Sequence, residues 1–107
     1  MKDEFLKNWD TQMKKGLLPL FVLHIIAEKT CYGYELIERL KEITGFDITE
    51  STMYPLLTRL LKEGLLEAKW VEQNTGIPRK YYSLTKDGKS KLSEMKEASR
   101  TIFSKII

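Results

Sequence analysis

The sequence predicts a mainly α-helical domain with one small β-hairpin, and three observations support that class. Met53, Leu56, Leu57, Leu60 and Leu61 recur at three- and four-residue spacing, which places them on one side of a 3.6-residue helix. Residues 66 to 72 and 79 to 84 read instead as two short strands, separated by the turn-forming run Gln73-Asn-Thr-Gly-Ile-Pro78. Helical spacing then returns and holds from Thr85 to the end of the chain. At 107 residues the chain is long enough for one domain with a modest core. Its balance of 42% apolar to 31% charged residues is that of a folded chain rather than a disordered one.

Each element has its own local warrant. Residues 3 to 14 are expected to form a first helix with Phe5, Leu6, Trp9 and Met13 on one side. Gly16 and Pro19 are expected to interrupt it, because proline fits the first turn of a helix but not its interior. A second helix then starts near Leu18 and runs to about Glu28. Leu17, Leu18, Leu20, Phe21, Val22, Leu23, Ile25 and Ile26 are apolar nearly all the way round it, so it must be enclosed on most sides. Residues 29 to 33 read as a connector. A helix from about Tyr34 to Ile43 follows, with the stripe Leu36, Ile37, Leu40 and Ile43, and Gly45 ends it. The helix built on Met53 starts at Ser51 or Thr49, whose side chains can accept from the free N–H groups of its first turn, and ends at Gly64. Leu66, Ala68 and Trp70 share one side of the first strand. In the last helix Thr85 is the cap and Asp87 lies near the positive end; about 22 residues give a length of roughly 30 Å.

The same residues argue against several classes of function. Cys31 is the only cysteine, so no internal disulfide forms, and with His24 it cannot supply the four ligands of a structural zinc site. Cys31 reads as a small buried hydrophobe, and His24, within an apolar run, as a core or boundary residue. No Ser/His/Asp arrangement, phosphate-cradling glycine loop or carboxylate pair stands out, so an enzyme, a cofactor and a metal are all unexpected. The apolar run from Leu17 to Ile26 is far shorter than the about 20 residues of a bilayer span and lacks the flanks of a secretory signal. A cytoplasmic protein with no membrane partner is the expectation.

The formal charge of +3 is mild, but its distribution is uneven. Between residues 79 and 91, Arg79, Lys80, Lys86, Lys89 and Lys91 stand against Asp87 alone, which gathers positive potential on one part of the fold. Two helices joined by a glycine-containing connection, the second with a polar front, match a helix-turn-helix, and the hairpin directly after them makes it winged. In this reading the front of residues 51 to 62 faces double-stranded DNA. Ser51, Thr52, Tyr54, Thr58, Arg59 and Lys62 then contact the major groove or its phosphates. Arg79 and Lys80 at the base of the wing reach phosphates, and Asn74 and Thr75 at its tip reach the backbone or the minor groove. Pro55, about one turn in, disturbs the local ladder and bears on how Ser51, Thr52 and Tyr54 are presented.

Leu92, Met95, Ser99, Ile102 and Ile106 recur at alternating three- and four-residue steps, with Phe103 beside them, a seam of the kind that packs on another helix. Neither this seam nor the Phe5/Leu6/Trp9/Met13 face has an obvious partner within one chain, and a second copy is the economical partner. The chain thus divides into an N-terminal contact helix (1–15), a winged helix-turn-helix (16–84) and a C-terminal dimerisation helix (85–107). Trp9, Met13, Met95, Ile102 and Phe103 are the residues expected at the dimer contact, and they are also the candidates for holding a small aromatic effector.

The order Gly16-Leu-Leu-Pro-Leu-Phe-Val-Leu23, Tyr32-Gly-Tyr-Glu-Leu36, Ser51-Thr-Met-Tyr-Pro-Leu-Leu-Thr-Arg-Leu60, Glu63-Gly-Leu65 and Arg79-Lys-Tyr-Tyr-Ser-Leu-Thr85, followed by Gly88, resembles the PadR family of bacterial transcriptional regulators. The match covers about residues 15 to 88. The resemblance implies a winged helix, a homodimer formed through the C-terminal and first helices, and repression by operator binding. The single-helix tail is similar to that of the compact branch of the family. Members that sense phenolic acids or hydrophobic drugs imply an effector, although no ligand motif transfers residue by residue. A second class stands beside this one: a winged-helix module that binds a protein partner and never touches DNA. The mild net charge and Glu50, Glu63 and Glu67 near the proposed DNA face speak for it.

Overall fold

A single 25-residue helix, α1 (Glu4–Glu28), takes the place of the two helices expected before residue 28. The structure is a computed structural model and describes residues 3 to 107. Asp3 caps α1, accepting from the Phe5 N–H at 2.8 Å. Gly16 and Pro19 both lie inside the helix. Pro19 has no N–H, so the Lys15 carbonyl loses its helical donor, a cost of about 3 kcal/mol in an isolated helix. The helix continues because Leu18, Val22, Leu23, Ile25 and Ile26 are buried along its second half, and each enclosed aliphatic side chain contributes about 1.5–3 kcal/mol. Burial outweighs the local rule.

The remaining helices follow the expected order. α2 (Gly33–Thr44) buries Leu36 and Leu40 and ends at Gly45, whose φ of 74° is open to glycine at little cost. α3 (Glu50–Lys62) buries Met53, Leu57 and Leu60, and it runs through Pro55 unbroken. β2 (Leu66–Val71) and β3 (Arg79–Leu84) pair antiparallel, from Leu66↔Leu84 at the root to Val71↔Arg79 at the outer end. The supposed connector contains a third strand. β1 (Cys31–Tyr32) pairs with β3 in the register Cys31↔Tyr82 and Tyr32↔Tyr81, giving the order β1-β3-β2. Two residues are too few to show any period.

One core serves the described residues. The buried side chains of α1 meet Leu36 and Leu40, Met53, Leu57 and Leu60, the root residues Leu66 and Leu84, Tyr82 and Leu92 in a single cluster. Cys31 lies fully inside it, with its thiol 3.0 Å from the Lys29 carbonyl. Ala68 and Trp70 are exposed, so the hairpin rests on the core through Leu66, Leu84 and Tyr82, and its outer end stands away from it.

α4 (Lys86–Ile106) is anchored at its start. Thr85 Oγ1 accepts from the Gly88 N–H at 2.9 Å and donates to the Gly64 carbonyl at 2.6 Å, while the Thr85 N–H donates to the Leu65 carbonyl at 3.1 Å. Gly88 approaches the Leu65 carbonyl so closely that a Cβ would collide with it. Only Gly88 and Leu92 of α4 are buried, and the second half of the helix runs on past the core. The radius of gyration is accordingly 15.4 Å, against about 13 Å for a compact chain of this length.

Candidate nucleic-acid interface

α3 turns its polar side to solvent. Ser51, Thr52, Tyr54, Pro55, Thr58, Arg59 and Lys62 are all exposed, while Met53, Leu57 and Leu60 point into the core. At 3.6 residues per turn, Ser51, Pro55, Thr58 and Lys62 run along the middle of the open face; Thr52 and Arg59 lie on one flank and Tyr54 on the other. Thr49 holds the N-cap position, yet its hydroxyl meets those of Ser51 (2.8 Å) and Thr52 (3.4 Å), and no side chain caps the helix. Neither expected cap therefore forms. Three hydroxyls instead cluster at the positive end of α3, where N–H groups favour an anion.

The two flanks meet different neighbours. Thr52, Pro55 and Arg59 share a notch of about 320 Å³ with Lys15 and Pro19 of α1. Tyr54 and Thr58 border a groove of about 450 Å³ whose other wall is the hairpin, with Trp70, Arg79, Lys80 and Tyr82. Tyr32 and Gly33 also line it. A Cβ at Gly33 would strike the end of the Tyr54 ring, which would have to move aside, so the first residue of α2 and Tyr54 of α3 are in close contact. Partial burial, and after it the Glu50 carboxylate, pushes the Tyr54 phenol above its ordinary value of 10.0. At neutral pH it is an O–H donor.

The hairpin loop is closed by the Gly76 N–H donating to the Gln73 carbonyl at 3.0 Å, with Gly76 at φ 87° and Asn74 and Thr75 exposed at the tip. Arg79 and Lys80 open β3, so they sit at the outer end of the wing beside this loop rather than at its base, where the sequence reading put them. The Arg79 guanidinium lies 4.4 Å over the Tyr32 ring and donates to Gln73 Oε1 at 3.4 Å. Lys80 Nζ stands 5.8 Å from the rings of both Trp70 and Tyr82. Glu50, Glu63 and Glu67 are exposed near the same face, and Arg59 faces Glu63 at 3.9 Å. An exposed pair this loose contributes little.

The structure thus brings Tyr54, Thr58, Arg79 and Lys80 around one groove and sets Thr52 and Arg59 on the far side of α3. Lys15, Tyr32, Gly33, Trp70 and Tyr82 were not among the residues singled out for this face. Tyr32 and Gly33 reach it through the β1–β3 pairing, and their one visible signal was the Tyr32-Gly-Tyr motif.

None of the expected dimer residues lines the groove or the notch: Trp9 is 56% exposed, Ile102 60% and Phe103 43%, with Phe5 at 73%. Met13 is half-buried, and Met95 packs against the core. His24 pairs with Glu28 at 2.8 Å at the edge of the core. Among the described residues no helix is long and apolar enough to cross a membrane, and no group of three His, Cys, Asp or Glu is placed to hold a metal ion.

A three-helix unit, an open polar helix and a standing hairpin define the winged helix-turn-helix class. Within it, the family described as the transcriptional regulator PadR-like family matches residues 22–94, and the chain belongs to that family of transcriptional regulators. A PadR-like regulator of Bacillus cereus is 36% identical, with a TM-score of 0.80 over 89% of this chain and 92% of that one. A PadR family regulator of Eggerthella lenta is 30% identical, with a TM-score of 0.88 over 97% and 90%. Bacillus subtilis PadR, solved in complex with operator DNA, is 28% identical, with a TM-score of 0.69 over 74% of this chain and 47% of that one. Membership in a family of regulators agrees with the expectation that the chain is not an enzyme.

Proposed function

We propose that the protein is a homodimeric, cytoplasmic repressor that binds a near-palindromic operator and is released by a small aromatic effector. The observation that carries DNA binding is the shared groove, with the donors of Tyr54 and Thr58 on one wall and the cations of Arg79 and Lys80 on the other. In the complex, Ser51, Thr52, Tyr54, Thr58, Arg59 and Lys62 meet the major groove or its phosphates, and Asn74, Thr75, Arg79 and Lys80 serve the wing. The operator complex of Bacillus subtilis PadR supports this reading. Two recognition helices in a symmetric dimer meet half-sites about 34 Å apart.

The exposed faces carrying Phe5 and Trp9 on α1 and Ile102, Phe103 and Ile106 on α4 support the dimer. Trp9, Met13, Met95, Ile102 and Phe103 then line the apolar interior into which a planar effector fits. Its binding quenches Trp9, read in a Trp70→Phe variant so that the second tryptophan is silent; no response across a broad aromatic panel removes the effector.

A gel-shift with the DNA upstream of the protein's own gene tests the main reading. A shift at low salt that fades as salt rises supports it. No shift at low salt favours the protein-partner module, for which Glu50, Glu63 and Glu67 speak. Sedimentation as a monomer, at concentrations where the protein is folded, overturns the dimer.

A further inference from the structure

Arg79 is the wing cation held by a close ring contact and a side-chain hydrogen bond together. Its guanidinium carbon stands 4.4 Å from the Tyr32 ring centroid, and one terminal nitrogen donates to Gln73 Oε1 at 3.4 Å. Tyr32 is itself fixed three times over. Its backbone pairs with Tyr81 in the β1–β3 ladder, its ring meets the Tyr81 ring edge-to-face at 5.4 Å and 72°, and it is the N-cap residue of α2. One ring therefore joins the start of the helix-turn-helix to the outer end of the wing.

We propose that Tyr32 is a positioning residue for DNA, which holds the Arg79 guanidinium over the mouth of the α3–wing groove so that it meets a phosphate already oriented. This rests on the DNA-binding reading above. The chemistry follows from these contacts. The Tyr32 ring and Gln73 Oε1 hold the guanidinium while leaving Arg79 exposed, and of its five N–H donors one is given to Gln73, so others remain for a phosphate oxygen pair. A long side chain otherwise loses its rotamer freedom on contact, and a cation already parked on an aromatic face loses less. Lys80 has no such fork, and its ammonium stands 5.8 Å from its rings; Arg79 is the directional contact of the wing.

The test uses the full chain and a fluorescein-labelled mixed-sequence 30-base-pair duplex at low salt, since a phosphate contact is independent of sequence. Tyr32→Leu weakens binding about three- to fivefold, the size expected of an exposed cation–π contact, and Tyr32→Phe, which keeps the ring, restores it. The salt slope separates the two partners: Arg79→Ala lowers it by about 0.9, one phosphate, whereas Tyr32→Leu leaves it unchanged because the charge remains. In the Arg79→Ala background Tyr32→Leu costs nothing further. An equal cost in both backgrounds, or a Tyr32→Phe as weak as Tyr32→Leu, overturns the proposal while leaving DNA binding intact. A wild-type protein that does not bind the duplex at all overturns the DNA reading and this inference with it. Should Tyr32→Leu fail to fold, Arg79→Lys keeps the charge but loses the planar face; it loses the same three- to fivefold at an unchanged slope, and an Arg79→Lys equal to wild type overturns the proposal.

Discussion

Gly88 and Gly16 are both helical glycines, and replacing each with alanine should move stability in opposite directions. In an exposed helix interior alanine is favoured over glycine by about 1 kcal/mol. Nothing lies within 4 Å of a Cβ at Gly16, so Gly16→Ala stabilises by roughly 0.5–1 kcal/mol. At Gly88 the Cβ collides with the Leu65 carbonyl oxygen and stands 3.0 Å from its carbon. That carbonyl cannot retreat freely, because it accepts from the Thr85 N–H at 3.1 Å. Overpacking costs about 1–3 kcal/mol and a weakened hydrogen bond about 1 kcal/mol more, against a propensity gain that is smaller in a first turn. Gly88→Ala therefore destabilises by about 2 kcal/mol, and the two variants differ by about 3 kcal/mol. Urea titrations at one fixed protein concentration read both, since the proposed dimerisation would make stability depend on concentration. A Gly88→Ala protein as stable as wild type, with an unchanged m-value, refutes the close approach of α4 to Leu65.

If each monomer neutralises about three phosphates, log K falls with log salt at a slope near −5, and a flat dependence contradicts the proposed face. Lys80→Ala and Arg79→Ala weaken all duplexes alike, whereas Thr52→Ala and Arg59→Ala alter sequence preference by about 1–3 kcal/mol at one base pair, measured by competition binding. Phe103→Asp or Ile102→Asp yields a monomer in sedimentation with its helical content kept; a persistent dimer places the contact elsewhere. Burial pushes the Cys31 thiol above its ordinary 9.0, so the fold retains a proton that the unfolded chain releases. Stability is unaffected by this group below about pH 9 and declines as pH rises beyond it. Cys31→Ala removes that part of the alkaline decline, leaving the contributions of tyrosine phenols that are likewise pushed up, Tyr82 and Tyr54 by burial and Tyr34 by its hydrogen bond to Glu38.

What could be read in advance was whatever repeats locally. The stripe Met53, Leu57, Leu60 and the glycines at 45 and 64 placed α2 and α3, and Asn74-Thr75-Gly76 placed the hairpin loop. Pro19 misled because its cost is local, while the burial of Leu18, Val22 and Leu23 that offsets it is tertiary. β1 was invisible because two residues carry no pattern, and it is made a strand only by its partner β3. The same reason hid half of the groove. The polar face of α3 follows from helical spacing, but Tyr32 and Arg79 are far apart in sequence and meet only through that short ladder. Arg79 and Lys80 were picked out by charge, while their place at the outer end of the hairpin needed the register.

One hydroxyl, that of Thr85, closes the first turn of α4 and grips the Gly64 carbonyl two residues before β2, with Gly88 pressed against the next carbonyl, that of Leu65. This corner is a weld. In the proposed dimer each tail and its DNA-reading rod would swing as a single crank, and the lever is long: a tilt of about 10° on an arm of about 30 Å moves its end by roughly 5 Å, more than the about 3.4 Å of helix axis that each nucleotide of a strand occupies. A molecule wedged between the tails would need to splay them by only about 10° to put the two rods out of step with the double helix.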